Sequence, residues 1–196
     1  MNINDVETPK EAPIESKDIW NAIFNKQREL AIKYQEIENM GDLFDTTDTN
    51  IDTAKGQKWI KDFAWRVTEE LAEAYEAKDI DPEHYKEELI DALHFLVELN
   101  LIAGVQVFKP TYMLTPSSVV SWDVVYPLGL MCNTLKNKPW KQTQMLTDRK
   151  EFFKYLQQTW DNMFALLRKE IGSEEAIYLY YFKKNEVNKF RQRSKY

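Results

Sequence analysis

Two acidic strings in this chain have types and spacing that could do chemistry: "EELAE", carrying Glu70 and Glu73, and "EELID", carrying Glu88 and Asp91. Each pair is three residues apart, so on an α-helix both carboxylates share a face about one turn apart. Glu70 points the wrong way for an ordinary surface acid. Counting about 100° per residue from Phe63, Val67, Ala74, Trp59 and Ile60 all fall within about 60°, and Glu70 lies about 20° from the centre of that stripe. Glu73 stands at its border, about 80° away. Glu69 and Glu76 face solvent. A carboxylate turned toward a core is costly unless it is paired or holds a metal, so Glu70 needs a cation.

The second pair repeats the anomaly. In "EELIDALHFLVEL" the residues Leu89, Leu93, Phe95, Leu96, Leu99 and Ile102 make the helix apolar almost all round, and Glu88 and Asp91 share a stripe with Phe95 and Ile102. Two helices joined by a short connection pack antiparallel, which lets Glu70 and Glu73 face Glu88 and Asp91. Four converging carboxylates repel one another unless divalent cations intervene, and all-oxygen ligation suits Mg²⁺ or Mn²⁺. A single "EExxE" string is an ordinary solvated helical face; two inward acid pairs on neighbouring helices are a stronger signal. Of the two histidines, His94 reads as a core residue or a support to the ligands, and His84 as a surface residue. Cys132 reads as a packing residue rather than a nucleophile.

A second constellation closes the chain, "YLYYFKKNEVNKFRQRSKY". Lys184, Asn188 and Arg191 fall at i, i+4 and i+7, one helical face that could grip an anion, although a basic last turn also suits the helix dipole.

The elements that must position these residues are helical throughout. Five glycines in 196 residues are few for sheets joined by tight turns. The first helix is expected from Asp18 to about Met40, stopped by Gly41, and a turn-rich loop follows. The second is expected from about Gln57 to Lys78, and the third from an Asp81 cap and Pro82 to about Ala103. A short helix starting near Ser117 is expected within an irregular stretch, 109–147, that reads as a mobile or inserted segment. Two more helices follow, Asp148 to Ile171 and Ser173 to about Arg191. Residues 1–17 read as a flexible tail and 18–196 as a single all-α domain, a multi-helix bundle.

Composition narrows the function classes. The net charge of -6 argues against a general nucleic-acid binder, so an anionic ligand needs a local basic cluster or a metal. One cysteine forms no internal disulfide, and the start carries acids and prolines where a signal peptide has a basic then an apolar run. No uncharged stretch approaches the roughly 18 residues of a membrane span. A cytoplasmic protein is expected.

"EELAE" followed by "EELIDALHF" resembles the EExxE…ExxD signature of the all-α nucleoside triphosphate pyrophosphatases, which include the MazG-like enzymes and the dimeric dUTPases. The ending "YYFKKNEVNKFRQRSKY" resembles the KNxxNxxRQxxGY ending of the dimeric dUTPases and of the related phage dCTPase-dUTPases, and "NKQRELAIKY" resembles the glutamine-containing first helix of that group. Three regions and about half the chain carry the likeness. It implies that Glu70, Glu73, Glu88 and Asp91 ligate metal, that Glu70 or Glu73 orients the attacking water, that Lys184, Asn188 and Arg191 contact phosphate and sugar, and that Gln27 lies near the base. Tyr196 corresponds to the closing tyrosine, with Lys195 where the family has glycine. Leu30 stands where the dUTPases proper have asparagine, a departure that favours the broader phage type. The gap of fifteen residues from Glu73 to Glu88 is short for a dimeric dUTPase and omits room for a base-stacking tryptophan.

The resemblance thus implies a homodimeric, Mg²⁺-dependent enzyme hydrolysing dUTP, dCTP or both to the monophosphate and pyrophosphate, with Mn²⁺ as a substitute. A MazG-like pyrophosphatase with another base preference is the nearest alternative. A non-catalytic helical interaction protein on the same fold is the other, and loss of metal dependence would distinguish it.

Overall fold

A computed structural model describes residues 18–44, 50–111, 118–135 and 147–194. Within them lie six helices, α1 (Ile19–Ile37), α2 (Ala54–Ala77), α3 (Pro82–Ile102), α4 (Ser121–Thr134), α5 (Arg149–Glu170) and α6 (Glu174–Ser194), and no strand. The expected N-terminal tail at 1–17, the residue Tyr196 and much of the irregular 109–147 stretch lie outside the described residues.

Local chemistry explains most boundaries. The Asp81 carboxylate accepts from the Glu83 and His84 amides, both at 3.2 Å, and Pro82 opens α3 as expected. The Asp148 side chain caps α5 by accepting from the Glu151 amide at 3.2 Å. At the end of α3, Gly104 takes a φ of 82° and the Val105 amide reaches back to the Asn100 carbonyl at 2.9 Å. That is the left-handed cap for which glycine carries no Cβ penalty.

Four expected boundaries move, one of them the end of α6, which runs on to Ser194 rather than stopping near Arg191. The first helix ends at Ile37, not Met40, because Asn39 adopts the left-handed conformation (φ 52°) and the Met40 amide bonds back to the Gln35 carbonyl at 2.9 Å. Asparagine tolerates that region, so it performs the stop assigned to Gly41. The second helix begins at Ala54 rather than Gln57. Thr53 caps it through a 2.9 Å bond from the Gly56 amide. Gly56 sits inside that first turn because a Cβ there would stand 2.1 Å from the Asn50 carbonyl oxygen. The short helix begins at Ser121 rather than near Ser117, where the Val120 amide donates to the Asp123 carboxylate at 2.9 Å. It also continues through Pro127. Proline removes the donor that would have met the Asp123 carbonyl, and the Asn162 side-chain amide of α5 donates to that carbonyl instead.

The helices pack in neighbouring pairs. α2 lies antiparallel along α3, α4 lies along α5, and α6 rests on both α1 and α3. Trp160 of α5 is fully buried and centres one side of the core, stacked on Phe24 of α1 at 5.7 Å and on Phe108 at 5.4 Å, with the Trp20 edge against it at 6.0 Å. α3 is buried along nearly its whole length, including Leu89, Leu93, Leu96 and Val97. Its polar residues Glu88, His94, Glu98 and Asn100 therefore project into the protein. No helix among the described residues is long and apolar enough to cross a membrane.

Candidate active site

The antiparallel α2–α3 pair brings the acids together. One carboxylate oxygen from each of Glu70, Glu73 and Glu88 lies within 4.8 Å of the others. Glu70 is half-buried, Glu73 exposed and Glu88 buried. Burial pushes the Glu70 carboxyl up to about 9, helped by a hydrogen bond shared with Glu88 and by the charges of Asp91, Glu88 and Glu73. Such a carboxyl keeps its proton near neutral pH for want of positive charge. An all-oxygen set of this kind fits a hard divalent cation, whose binding would remove that proton.

Asp91, expected as the fourth ligand, stands beside this group and faces another partner. Its Oδ2 is 2.6 Å from the Lys184 ammonium of α6, and Lys184 also lies 4.0 Å from Glu87. Burial raises the Asp91 carboxyl, but His94 and Lys184 more than offset this and hold it below its ordinary value. The lysine contact is the close one, since His94 Nδ1 is 3.7 Å from Asp91 and 3.0 Å from the Ile90 carbonyl oxygen. Lys184 was expected to meet phosphate. In this structure it neutralises the last acid of the site.

The histidines fall largely as read. His94 is buried and stacks on Tyr181 with ring centroids 4.2 Å apart. His84 is exposed, yet its Nδ1 comes within 3.1 Å of Glu88. Cys132 is shielded, and burial pushes its thiol up to about 12, which removes it as a nucleophile near neutral pH.

A cavity of about 740 Å³ adjoins the acids. Glu70 of α2 and Asp91, His94 and Phe95 of α3 line it, with Gln27, Leu30 and Tyr34 of α1 and Asn188 and Arg191 of α6. On α1 these positions follow i, i+3, i+7, and on α6 Lys184, Asn188 and Arg191 follow i, i+4, i+7, so a single face of each helix looks toward the site. Gln27 is almost fully buried. Its Nε2 donates to Glu98 Oε1 at 2.8 Å, and its Oε1 accepts from the Tyr181 hydroxyl. Arg66 of α2 also lines the cavity, its guanidinium 5.6 Å from the centre of the Phe95 ring and its Nε 3.0 Å from Asp62.

The sequence reading missed Glu98, Tyr181 and Gln192. Glu98 had a signal: it lies seven residues beyond Asp91, about 20° from it on the helix, and is the lone acid in an otherwise apolar run. Tyr181 also had one, three residues before Lys184 on the same face. Gln192 stands at the glutamine of the ending the chain resembles, but its bond from Nε2 to the Leu30 carbonyl at 3.1 Å depends on how α6 lies on α1.

An all-helical bundle that gathers carboxylates at the edge of a nucleotide-sized cavity, opposite a helix bearing lysine, asparagine and arginine, has the parts of a nucleoside triphosphate diphosphatase. A family model described as dUTPase matches residues 19–196, and the chain belongs to that family of all-helical dUTPases. Its members act on nucleotides, are generally oligomeric and use a divalent metal, typically Mg²⁺. No curated protein and no solved structure matches the chain.

Proposed function

We propose that this chain hydrolyses dUTP, dCTP or both to the monophosphate and pyrophosphate, with Mg²⁺ held by Glu70, Glu73, Glu88 and Asp91, and that it works as a homodimer. The observation that carries the reading is the shared cavity: Glu70 and Asp91 border the same space as Gln27, Asn188 and Arg191. Its volume, about 740 Å³, is that of a small-molecule site. Leu30 on its wall offers no hydrogen bond where an asparagine would select uracil, which supports acceptance of both pyrimidines. A reducing cytoplasm agrees with the lone, shielded Cys132.

A divalent cation bound by these acids supplies charge neutralisation for the triphosphate and lowers the pKa of a coordinated water. The protein groups then divide the remaining work. Glu70, freed of its proton once a cation is bound, or Glu73 beside it, would orient water for in-line attack and accept its proton. Water's oxygen bonds to phosphorus as the α–β bridge breaks, and the electron pair leaves on the departing group. Arg191, exposed at the rim, meets the charge that develops there. Lys184 joins it once the acids hold a cation and Asp91 no longer depends on lysine alone. Asn188 holds sugar or phosphate, and Gln27 meets the base from the floor. Tyr196 is assigned a contact with the substrate.

Pyrophosphate release from each common dNTP and NTP, with Mg²⁺ and with EDTA, tests this directly. Metal-dependent release from dUTP and dCTP is expected. Release confined to dUTP narrows the activity to a dUTPase proper, and release from purine nucleotides instead overturns the substrate assignment.

A further inference from the structure

Gln27 has both ends of its amide engaged, and the two engagements differ in kind. A tyrosine hydroxyl can donate or accept, and a glutamine amide can turn end for end. An ionised carboxylate only accepts. In the run Tyr181 to Gln27 to Glu98, the carboxylate, once ionised, is therefore the one member with no alternative. It draws the Gln27 Nε2 group to itself, turns the carbonyl oxygen toward Tyr181 and obliges the tyrosine to donate. Burial raises the Glu98 carboxyl to about 7, against the pull of the Gln27 amide and of Arg66 on the same cavity wall, so the carboxylate is the ruling form only above that pH.

We propose that Glu98 is a positioning residue that sets the direction of the Gln27 amide toward the nucleobase and thereby the preference between uracil and cytosine. This rests on the pyrimidine reading above. The two bases present opposite orders at one edge: uracil a ring N–H beside a carbonyl, cytosine a bare ring nitrogen beside an amino group. Gln27 keeps one N–H and one carbonyl lone pair beyond its bonds within the protein. Locked in one direction, those groups suit one order; free to turn, they suit both.

Glu98→Gln tests the idea, because glutamine of the same shape can offer Gln27 either a carbonyl or an amide N–H. Assayed well above pH 7, where Glu98 is ionised, the wild type should show unequal kcat/KM for dUTP and dCTP. In Glu98→Gln the ratio should move about tenfold toward equality, mostly in KM, since the lost discrimination lies in binding. Placed on a Gln27→Ala background, the same change should leave the ratio within about twofold, because Glu98 acts only through Gln27. Tyr181→Phe should also leave it within about twofold, because the carboxylate alone holds the direction.

A Glu98→Gln protein that keeps the wild-type ratio, or a Tyr181→Phe protein that shifts it as much, overturns the proposal. So does a wild type that handles both bases equally. No turnover of either base by the wild type removes the substrate reading itself, which is a different failure. Should Glu98→Gln not fold, the wild type still decides through its side-chain amide resonances. A coupling across the hydrogen bond from Gln27 Nε2 to the Glu98 carboxyl carbon, kept when a nonhydrolysable dUTP analogue binds, is expected, and its disappearance on binding overturns the proposal.

Discussion

The acid cluster and the floor of the cavity share helix α3 and treat negative charge in opposite ways. Glu88 joins Glu70 and Glu73 in a group of carboxylates within 4.8 Å, and Glu70 is pushed up to about 9. Glu98, further along the same helix, is also buried, but the Gln27 amide donates to it and Arg66 lies near enough to lower its carboxyl, which rises only to about 7. The floor is completed by groups of the chain itself. Among the described residues the cluster has no such internal partner for Glu70, and its unfavourable electrostatics are of the kind a cation would offset. Asp91 and Lys184 mark the border between the two regimes, an acid of the cluster already matched from within.

Removing that internal match should have the largest effect. Lys184→Met leaves Asp91 shielded with no ammonium beside it, and denaturant unfolding in EDTA should show a loss of about 3–5 kcal/mol, partly recovered by Mg²⁺. Stability unchanged in EDTA would mean that the 2.6 Å contact carries little energy. Glu70→Ala comes next. Its kcat/KM for pyrophosphate release should fall at least about 100-fold, since a ligand and the candidate base go together, while the fold survives because the side chain is only half-buried. Near wild-type activity would remove Glu70 from the site.

The two regimes should also separate with pH. Both Glu70 and Glu98 have folded-state values above the ordinary 4.5, so the folded protein keeps protons that the unfolded chain releases. Without metal, their contribution to stability is full below about pH 4.5 and is lost as pH rises through about 7 for Glu98 and about 9 for Glu70. Mg²⁺ competes with the proton on Glu70 but not with that on Glu98. The rise in Tm on adding Mg²⁺ should therefore grow from about pH 6 to about pH 9. A rise independent of pH would place the cation away from Glu70. The smallest effect should come from Glu70→Gln, which keeps the shape and drops the charge: in EDTA near pH 9 its Tm should exceed the wild type's by a few degrees, and the advantage should vanish with Mg²⁺.

Most of the fold was legible because its cues are local. Asp81 with Pro82 and Asp148 announce helix starts through bonds to amides two or three residues away, and apolar periodicity marks the faces of α2 and α5. Two of the readings that moved rested on glycine as punctuation. Gly56 belongs inside α2 because of the Asn50 carbonyl packed against it, and Asn39 ends α1 ahead of Gly41.

The site divides along the same line. Three-residue spacing and the inward angle of Glu70 are properties of one helix, so the sequence alone determined that acids would gather where α2 meets α3, and that Lys184, Asn188 and Arg191 would share a face of α6. It could not determine which of these groups would meet. Lys184 reaches Asp91, and Gln27 lies between residues 71 and 154 positions further along the chain. Such pairings depend on how α6 and α1 are rotated and packed against α3. Shifts of about an ångström there make or break a hydrogen bond while leaving every helix intact, so only the tertiary structure decided that Asp91 would be matched by lysine and Glu98 by glutamine, while Glu70, Glu73 and Glu88 crowd together.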